Sequence, residues 1–388
     1  DAIGMSGLLE KSVTVMEQNL HEMNAIGLRT PVLLGGAALT RHYAEAHLRT
    51  VYHGPLYYGR DAFEGLAVCD ALANGDLRRI DSEIDARLEK RASVDAKVGQ
   101  RLEPKACAPS TATVVRSEVR TDVAVPKAPF WGERLVAHVD LDHIYPFVNT
   151  TALFRGQWGF KKGSMSDEEY ERVLADVVDP VFERLKRQCR DEAILRPAVV
   201  YGFWPCAADG DDLVVFDAVD HDREIERFPF PRQASRGRLC ISDFFKPIES
   251  GGRDVVAFHC VTMGDEASRR ARGLFERNEY TEYLYLHGMG VECAEALAEL
   301  WHKRIRAELG IGNDDSPVVR ELFTQKYRGS RYSFGYPACP DMSHQEKLFR
   351  LLRPDRIGCV LTENWQIDPE QSTSAIVVHH PEAKYFTV

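Results

Sequence analysis

None of the nine cysteines stands in a CxxC pair, and the set is odd and dispersed (positions 69, 107, 189, 206, 240, 260, 293, 339 and 359). That excludes a disulfide framework and a cysteine-rich zinc site, and it points to reduced thiols in the cytoplasm. No apolar run approaches the ~18–20 residues that a membrane span needs. Positive charge is in deficit, with 49 Lys and Arg against 59 Asp and Glu and a formal charge of -10. Such a balance gives no basis for non-specific binding to nucleic acid or to an anionic membrane, since both need a basic face. An initiator Met and a signal peptide are also missing. The chain opens on Asp1-Ala2-Ile3-Gly4-Met5-Ser6-Gly7, in the middle of what reads as a buried strand. The expectation is a fragment of a longer protein.

What is present is ordinary globular material. The 388 residues are 44% hydrophobic and 28% charged, enough for sizeable cores and two or three domains. Residues 1–77 alternate in the βα manner. Short apolar strands are expected at Ala2–Ser6, Pro31–Gly36 and Gly54–Gly59, each followed by a helical pattern. The run Pro31-Val32-Leu33-Leu34-Gly35-Gly36 does not alternate, as expected of a parallel strand covered on both faces. Thr40 is placed to cap the helix that follows. Residues 78–103 alternate in charge and predict at most a solvated helix. Residues 104–129 hold Pro, Ala, Ser, Thr and Val without period. The whole of 78–130 reads as an exposed linker. Residues 131–388 predict a larger α+β unit, with strands at 198–203, 213–216, 255–261 and 375–378 and helices at 166–189, 265–287 and 290–308.

Two groups of residues could carry chemistry. Ser6-Gly7-Leu8, Gly35-Gly36-Ala37 and Arg60-Asp61-Ala62 close three successive parallel strands on one edge. In open α/β sheets that edge binds ligands, and glycine lets a large ligand approach the backbone. A Gly-Gly after a strand is by itself more often just a turn, and Ser12 is by default a helix cap; the three strand ends taken together carry more. The second group is Tyr327–Pro340, an irregular loop fixed by two glycines and two prolines. Its Arg331 offers a planar fork for a carboxylate. Cys339, between Ala338 and Pro340, has no obvious base and is not expected to be a nucleophile. Glu299-x-x-His302 has di-iron spacing but lacks the second copy such a site needs. His379-His380 reads as polar surface.

The stretches "DAIGMSGLLEKSVTVM", "PVLLGGAALT" and "YYGRDAFEGL" resemble the second half of the cobalamin-binding domain of cobalamin-dependent methionine synthases. "RYSFGYPACPD" resembles the signature of that family's S-adenosylmethionine-binding activation domain. "LFRGQWGF", "RPAVVYGFWPC", "ISDFF", "VAFHCVTMG", "GVECAEALAELWHKRIR", "LTENW" and "AKYFTV" follow in the family's order. The implied fold is a truncated Rossmann-like parallel sheet, α/β in class. A mixed α+β activation domain with a largely antiparallel sheet follows it. The implied domains are half a cobalamin-binding domain (1–77), a linker (78–130) and an S-adenosylmethionine-binding activation domain (131–388).

By position, the resemblance assigns Ser6, Glu10, Ser12, Gly35, Gly36 and Ala62 to cobalamin. Glu10 stands where a hydroxyl residue is common. The family's axial histidine belongs to an Asp-x-His-x-x-Gly loop that this chain lacks, and His21, His42, His47 and His53 are not its counterpart, so no metal ligand is assigned. Arg331 is implied to grip the carboxylate of S-adenosylmethionine, with Gly335 and Tyr336 shaping the pocket. Tyr385 and Phe386 are implied to close over the ligand, and Glu295 to lie near it. Asn149 aligns where some members carry an aspartate for the ligand's amino group, with Asp140 and Asp142 as alternatives.

The implied activity is that of methionine synthase, methyl transfer from 5-methyltetrahydrofolate to homocysteine through methylcobalamin. The part implied for this chain is reductive reactivation of cob(II)alamin with S-adenosylmethionine as methyl donor. A flavodoxin or flavoprotein reductase is the implied electron donor. Homocysteine and folate modules, with zinc on the former, are implied elsewhere in the parent chain. The alternatives are a stand-alone reactivation protein for another corrinoid methyltransferase and a non-catalytic module that binds S-adenosylmethionine or cobalamin.

Overall fold

The computed structural model describes residues 2–7, 10–36, 39–60, 62–99, 116–234 and 236–388. The chain divides into two compact units, Asp1–Thr113 and Val114–Val388.

In the first unit, strands β1 (Ile3–Ser6), β2 (Val32–Gly35) and β3 (Leu56–Tyr58) pair in parallel in that order. Helix α1 (Glu10–Ala25) connects the first two. The next helix, α2, spans 41–51 and contains a wider π turn at Ala44–Leu48. Thr40 caps it by accepting from the Tyr43 backbone N–H at 3.2 Å. Helix α3 (Ala62–Asn74) follows β3. Leu20, Val32, Leu34, Leu48 and Leu56 are buried between the sheet and α1 and α2.

A fourth helix, α4 (Arg78–Gly99), departs from the linker expected there. Leu77, Ile80, Ile84 and Leu88 recur at three- and four-residue spacing, which gives the helix one apolar stripe. Ile84 is 1% exposed, packed with Tyr57 and Val68. Arg87 also reaches the buried Glu45 of α2 at 2.7 Å. The dense charges of this segment hid that stripe. The expected linker fails at its other end too. Val119 is buried in the second unit, Arg116 donates to the Asp243 and Phe245 carbonyls, and Phe130 packs edge-on against Tyr201 and Phe203.

The second unit is built on a seven-stranded antiparallel sheet. Its strands are β4 (Gly132–Val136), β5 (Ala198–Asp209), β6 (Asp212–Phe216), β7 (Glu224–Pro229), β8 (Asp254–Thr262), β9 (Ser330–Tyr332) and, after a small hairpin of β10 (Val360–Leu361) and β11 (Ile367–Asp368), β12 (Ser372–Val378). The order is β7-β6-β5-β8-β12-β9, with β4 beside the first half of β5. Both faces are covered, so nearly every position of the central strands β5 and β8 is buried, and most are apolar. Val199, Tyr201 and Phe203 face one core, and Val200, Trp204 and Cys206 face the other. Pro205 sits inside β5 without breaking it. The β4 register ends at Phe203 and the β6 register begins at Cys206, so the missing N–H falls in the gap between two partners.

Three helical segments pack over the first of these cores. Helix α5 covers 167–191, and its capping box at Ser166 and Glu169 sets its start. Helix α6 (Glu266–Glu276) ends where Asn278 takes a left-handed turn, φ 61. Helix α7 (Tyr280–Glu308) then runs 29 residues without interruption. The break expected near 288–289 is therefore ten residues early in the structure. Gly288 and Gly290 do not end the helix but let it approach its neighbours. A Cβ on Gly288 would lie 2.8 Å from the Gln157 Cβ, and one on Gly290 2.8 Å from the Gln371 side chain.

Candidate functional site

Strand β9 is short and lies at the sheet edge against β12, with Val377 opposite Arg331. Cross-strand partners share a face. Val377 belongs to the core beneath α7, so Arg331 also faces α7, while Ser330 and Tyr332 point the other way and are buried. The loop expected to be irregular throughout thus contains the strand that aims its arginine. Arg331 meets two glutamates of α7, Glu299 at 3.1 Å and Glu295 at 3.5 Å. Desolvation alone would lower the guanidinium pKa, but the two carboxylates outweigh it and hold it above its ordinary value.

A cavity of about 400 Å³ opens over this ion-pair group. Glu292, Glu295 and Glu299 line it from α7. Their spacing of three and four residues puts all of them on one helix face. Glu299 and Glu292 are buried, whereas the Glu295 side chain is 43% exposed. Burial first, and then the neighbouring Glu295 charge, push the Glu292 carboxyl up to about 7. Its side-chain hydrogen-bond partner is Gln157. Tyr327, Ser333 and Tyr336, from the chain around β9, and Phe147 and Asn149 also line the cavity. Tyr327 is backed by Arg306, whose guanidinium lies 4.0 Å from the ring centroid, and by His302, edge-on at 5.0 Å. Burial, with Glu299 nearby, pushes the Tyr327 hydroxyl up to about 12.

The arrangement sets one partly buried cation, paired with two carboxylates, beside a third carboxylate in one cavity. It suits a zwitterionic ligand carrying additional positive charge, with its carboxylate at Arg331 and its cations at the glutamates. Residues 140–388 match the family described as vitamin B12 dependent methionine synthase, activation domain. The chain belongs to this family. It is 42% identical over 413 residues to the methionine synthase of Mycobacterium tuberculosis (strain ATCC 25618 / H37Rv) and 41% over 415 residues to that of Mycobacterium leprae (strain TN). Each alignment covers 100% of this chain and 34% of the relative, so the chain spans about a third of the length of these methionine synthases. Among solved structures, the MetH reactivation domain bound to AdoHcy superposes with a TM-score of 0.63 at 24% identity, covering 69% of this chain and 84% of that one. That likeness concerns the fold.

Within the activation-domain unit, the structure brings Asn149, Glu295, Arg331, Tyr336 and Tyr385 to one cavity. Gly335 stands behind Tyr336 with φ 86, and its N–H donates to the Cys339 carbonyl at 3.0 Å, which closes the tight turn. Asn149 also caps the helical segment after it, its Oδ1 accepting from the Ala152 N–H at 3.2 Å. Phe386 does not line the cavity. It is buried in the opposite core against Tyr332 and Phe244, while Tyr385 is 45% exposed at the mouth. Alternation along an extended tail separates the pair that the resemblance had joined. Cys339 is buried, its thiol pushed upward by desolvation, with its Sγ 2.9 Å from the Ser333 carbonyl. His379 and His380 are not surface. They are buried, with Nε2 of His379 2.7 Å from Asp254 and Nε2 of His380 3.0 Å from the Arg120 carbonyl.

Sequence reasoning missed Glu292 and Tyr327 as cavity residues, and it read Glu299 only through its spacing to His302. The spacing of Glu292, Glu295 and Glu299 was the available signal for the acidic stripe.

In the first unit, Ser6 and Gly35 end β1 and β2 at the same edge, directly paired. Gly36 adopts φ 109, and a Cβ there would lie 2.1 Å from the Gly7 carbonyl oxygen. Ser12 packs against Gly7 from α1, since a Cβ on Gly7 would lie 2.6 Å from the Ser12 Cβ. Glu10 and Ala62 open α1 and α3, and their side chains lie outside the described residues, as do Leu8, Ala37 and Asp61.

Proposed function

We propose that the cavity over Arg331 binds S-adenosylmethionine. The function we assign is reductive reactivation of the cobalamin of a methionine synthase, with S-adenosylmethionine as methyl donor. The observation that carries this reading is the placement of Arg331 between Glu295 and Glu299 in a cavity lined also by Glu292. A ligand carboxylate at Arg331 finds a fork-shaped donor, and its ammonium and sulfonium find carboxylates on one helix face. Tyr336 and Tyr385 supply aromatic walls at the mouth. The sulfonium is already an activated donor, so the residues need only hold and align it. The AdoHcy bound by the solved MetH reactivation domain is the demethylated form of this ligand, which supports the reading.

The edge of the parallel sheet fits the organic part of cobalamin. Gly7, Gly35 and Gly36 bring the strand ends together as bare backbone, with no side chain to hold a large ligand away. Ser6 and Ser12 would contribute polar contacts there, with Glu10 and Ala62 at the starts of the neighbouring helices. This edge would hold the organic tail of the cofactor, and no residue of the chain is assigned to its cobalt. When bound, cobalamin supplies the metal centre that carries the methyl group. The alignment of both units with methionine synthases supports a parent chain whose other modules handle homocysteine, with zinc, and methyltetrahydrofolate. A flavodoxin or flavoprotein reductase in the cytoplasm would supply the electron.

Calorimetric titration of the chain with S-adenosylmethionine tests the site. Arg331→Ala should weaken binding by at least about 30-fold, on the order of 2 kcal/mol, the loss expected when the charged partner of a bound carboxylate is removed. Unchanged affinity in a folded variant would sink the assignment.

A further inference from the structure

Three carboxylates face the cavity from one helix, but Arg331 pairs with only two of them. Glu292 is the third. It is 8% exposed, and among the described residues no Lys, Arg or His lies within ion-pair distance of it. An unpaired charge so well removed from water is costly, and the group responds by holding a proton. Its carboxyl is accordingly pushed up to about 7 by burial and by Glu295.

The groups that face the cavity around Glu292 are few. Its own helix contributes Glu295 and Glu299, and β9 contributes Arg331, whose charge is engaged by both. The surrounding loops contribute the phenols of Tyr327, Tyr336 and Tyr385 and the neutral amide of Asn149, and the segment after Asn149 contributes the Gln157 amide. The Asn149 oxygen already accepts a backbone N–H. No lining residue other than Arg331 is a cation. A ligand's own positive charge is therefore what would pair with Glu292.

Position selects which charge. A helix rises about 1.5 Å per residue, so Glu292 lies roughly 4.5 Å along the axis from Glu295 and farther still from Glu299. With the ligand carboxylate at Arg331, the ammonium on the adjacent carbon stays near Glu295. The sulfonium, further along the aminoalkyl chain, reaches the level of Glu292.

We propose that Glu292 is the residue by which this cavity distinguishes the sulfonium donor from its neutral thioether product. The proposal rests on the reading of the cavity as an S-adenosylmethionine site. Entry of the sulfonium favours the ionised carboxylate, and the proton leaves to solvent. Once the methyl group has gone, the sulfur is neutral, the carboxyl takes a proton back, and the product loses that contact.

Titration calorimetry of the chain with S-adenosylmethionine and with S-adenosylhomocysteine, each in two buffers of different ionisation enthalpy, counts the protons. Near pH 7, S-adenosylmethionine should release roughly half a proton, because a carboxyl of that pKa is half protonated when the site is empty, and S-adenosylhomocysteine should release almost none. Glu292→Gln should abolish the release and reduce the preference for the sulfonium by roughly tenfold, about 1.4 kcal/mol. Equal proton release with both ligands in the unsubstituted chain overturns the proposal, whatever the variant does. So does a Glu292→Gln chain that keeps its preference. Failure of both ligands to bind the unsubstituted chain would instead refute the site itself.

Discussion

Arg306 is fully buried, and both its ion-pair partner and its aromatic contact matter to the cavity. Asp315 accepts from it twice at 2.8 Å, and the guanidinium lies over Tyr327, a cavity wall. The Asp315 side chain is itself 5% exposed, so solvent screens the pair little. Removing one partner leaves an uncompensated charge in a dry place. Asp315→Ala should cost about 3–5 kcal/mol in unfolding free energy and lower the melting temperature accordingly. The double variant with Arg306→Met should recover part of that loss, which a double-mutant cycle reads directly. Additive losses would mean that the pair is not coupled. Nothing in the sequence marks Arg306 for burial, because it sits among the charged residues that end α7 and reads as solvated. Arg331 was legible, since its loop carries a recognisable pattern. Glu292 was not, because a glutamate in an amphipathic helix is usually solvated, and only packing against the Asn149 side places it in a cavity.

At the scale of elements, the site depends on where β9 lies, and Gly329 fixes that. It precedes the strand with φ 88, and a Cβ there would lie 2.3 Å from the Val378 carbonyl oxygen of β12. Backbone cannot yield as a flexible side chain can, so Gly329→Ala must displace β9 and, two residues on, Arg331. Affinity for S-adenosylmethionine should fall at least tenfold, about 1.4 kcal/mol or more. Gly163→Ala is the control, since that glycine has φ 55 but open space around it. It should cost roughly 1–2 kcal/mol of stability for the left-handed conformation and leave affinity unchanged. Comparable affinity losses in both variants would show that β9 is not specially constrained. The same distinction explains what the sequence left unread among the elements. Gly288 and Gly290 look like a helix stop, but they allow close packing inside one long helix. The stripe of Ile80, Ile84 and Leu88 is diluted by charge, so α4 reads as linker until its apolar face finds Tyr57 and Val68. The central strands were readable because their apolar runs are too dense for any other role.

At the scale of the molecule, all five tryptophans (131, 158, 204, 301 and 365) lie in the second unit, so their fluorescence follows that unit alone. Its stability should depend on pH through two buried histidines. His259 and His302 are fully buried, and none of their ring nitrogens hydrogen-bonds a described residue. Desolvation lowers His259 to about 3, and desolvation with the nearby Arg306 and Arg331 charges holds His302 well below its ordinary value. Both therefore stay neutral in the folded state while they protonate in the unfolded one. The unfolded state then binds more protons, and stability falls as pH drops below the ordinary histidine value of ~6.5. Glu292 acts in the opposite sense between about 4.5 and 7, because its folded carboxyl holds a proton that the unfolded one has lost. Two protons gained on unfolding against one lost leave a net slope of about 1.4 kcal/mol per pH unit between ~4.5 and ~6.5. His344 and His380, also lowered by desolvation, add in the same direction. Urea unfolding followed by tryptophan fluorescence across that range should show the midpoint falling with acid. In His259→Leu, about one proton should disappear from the slope, even if the absolute stability also changes. A slope unaltered by that substitution would mean that His259 binds the same number of protons in the folded and unfolded states, and its neutral folded form would then be wrong.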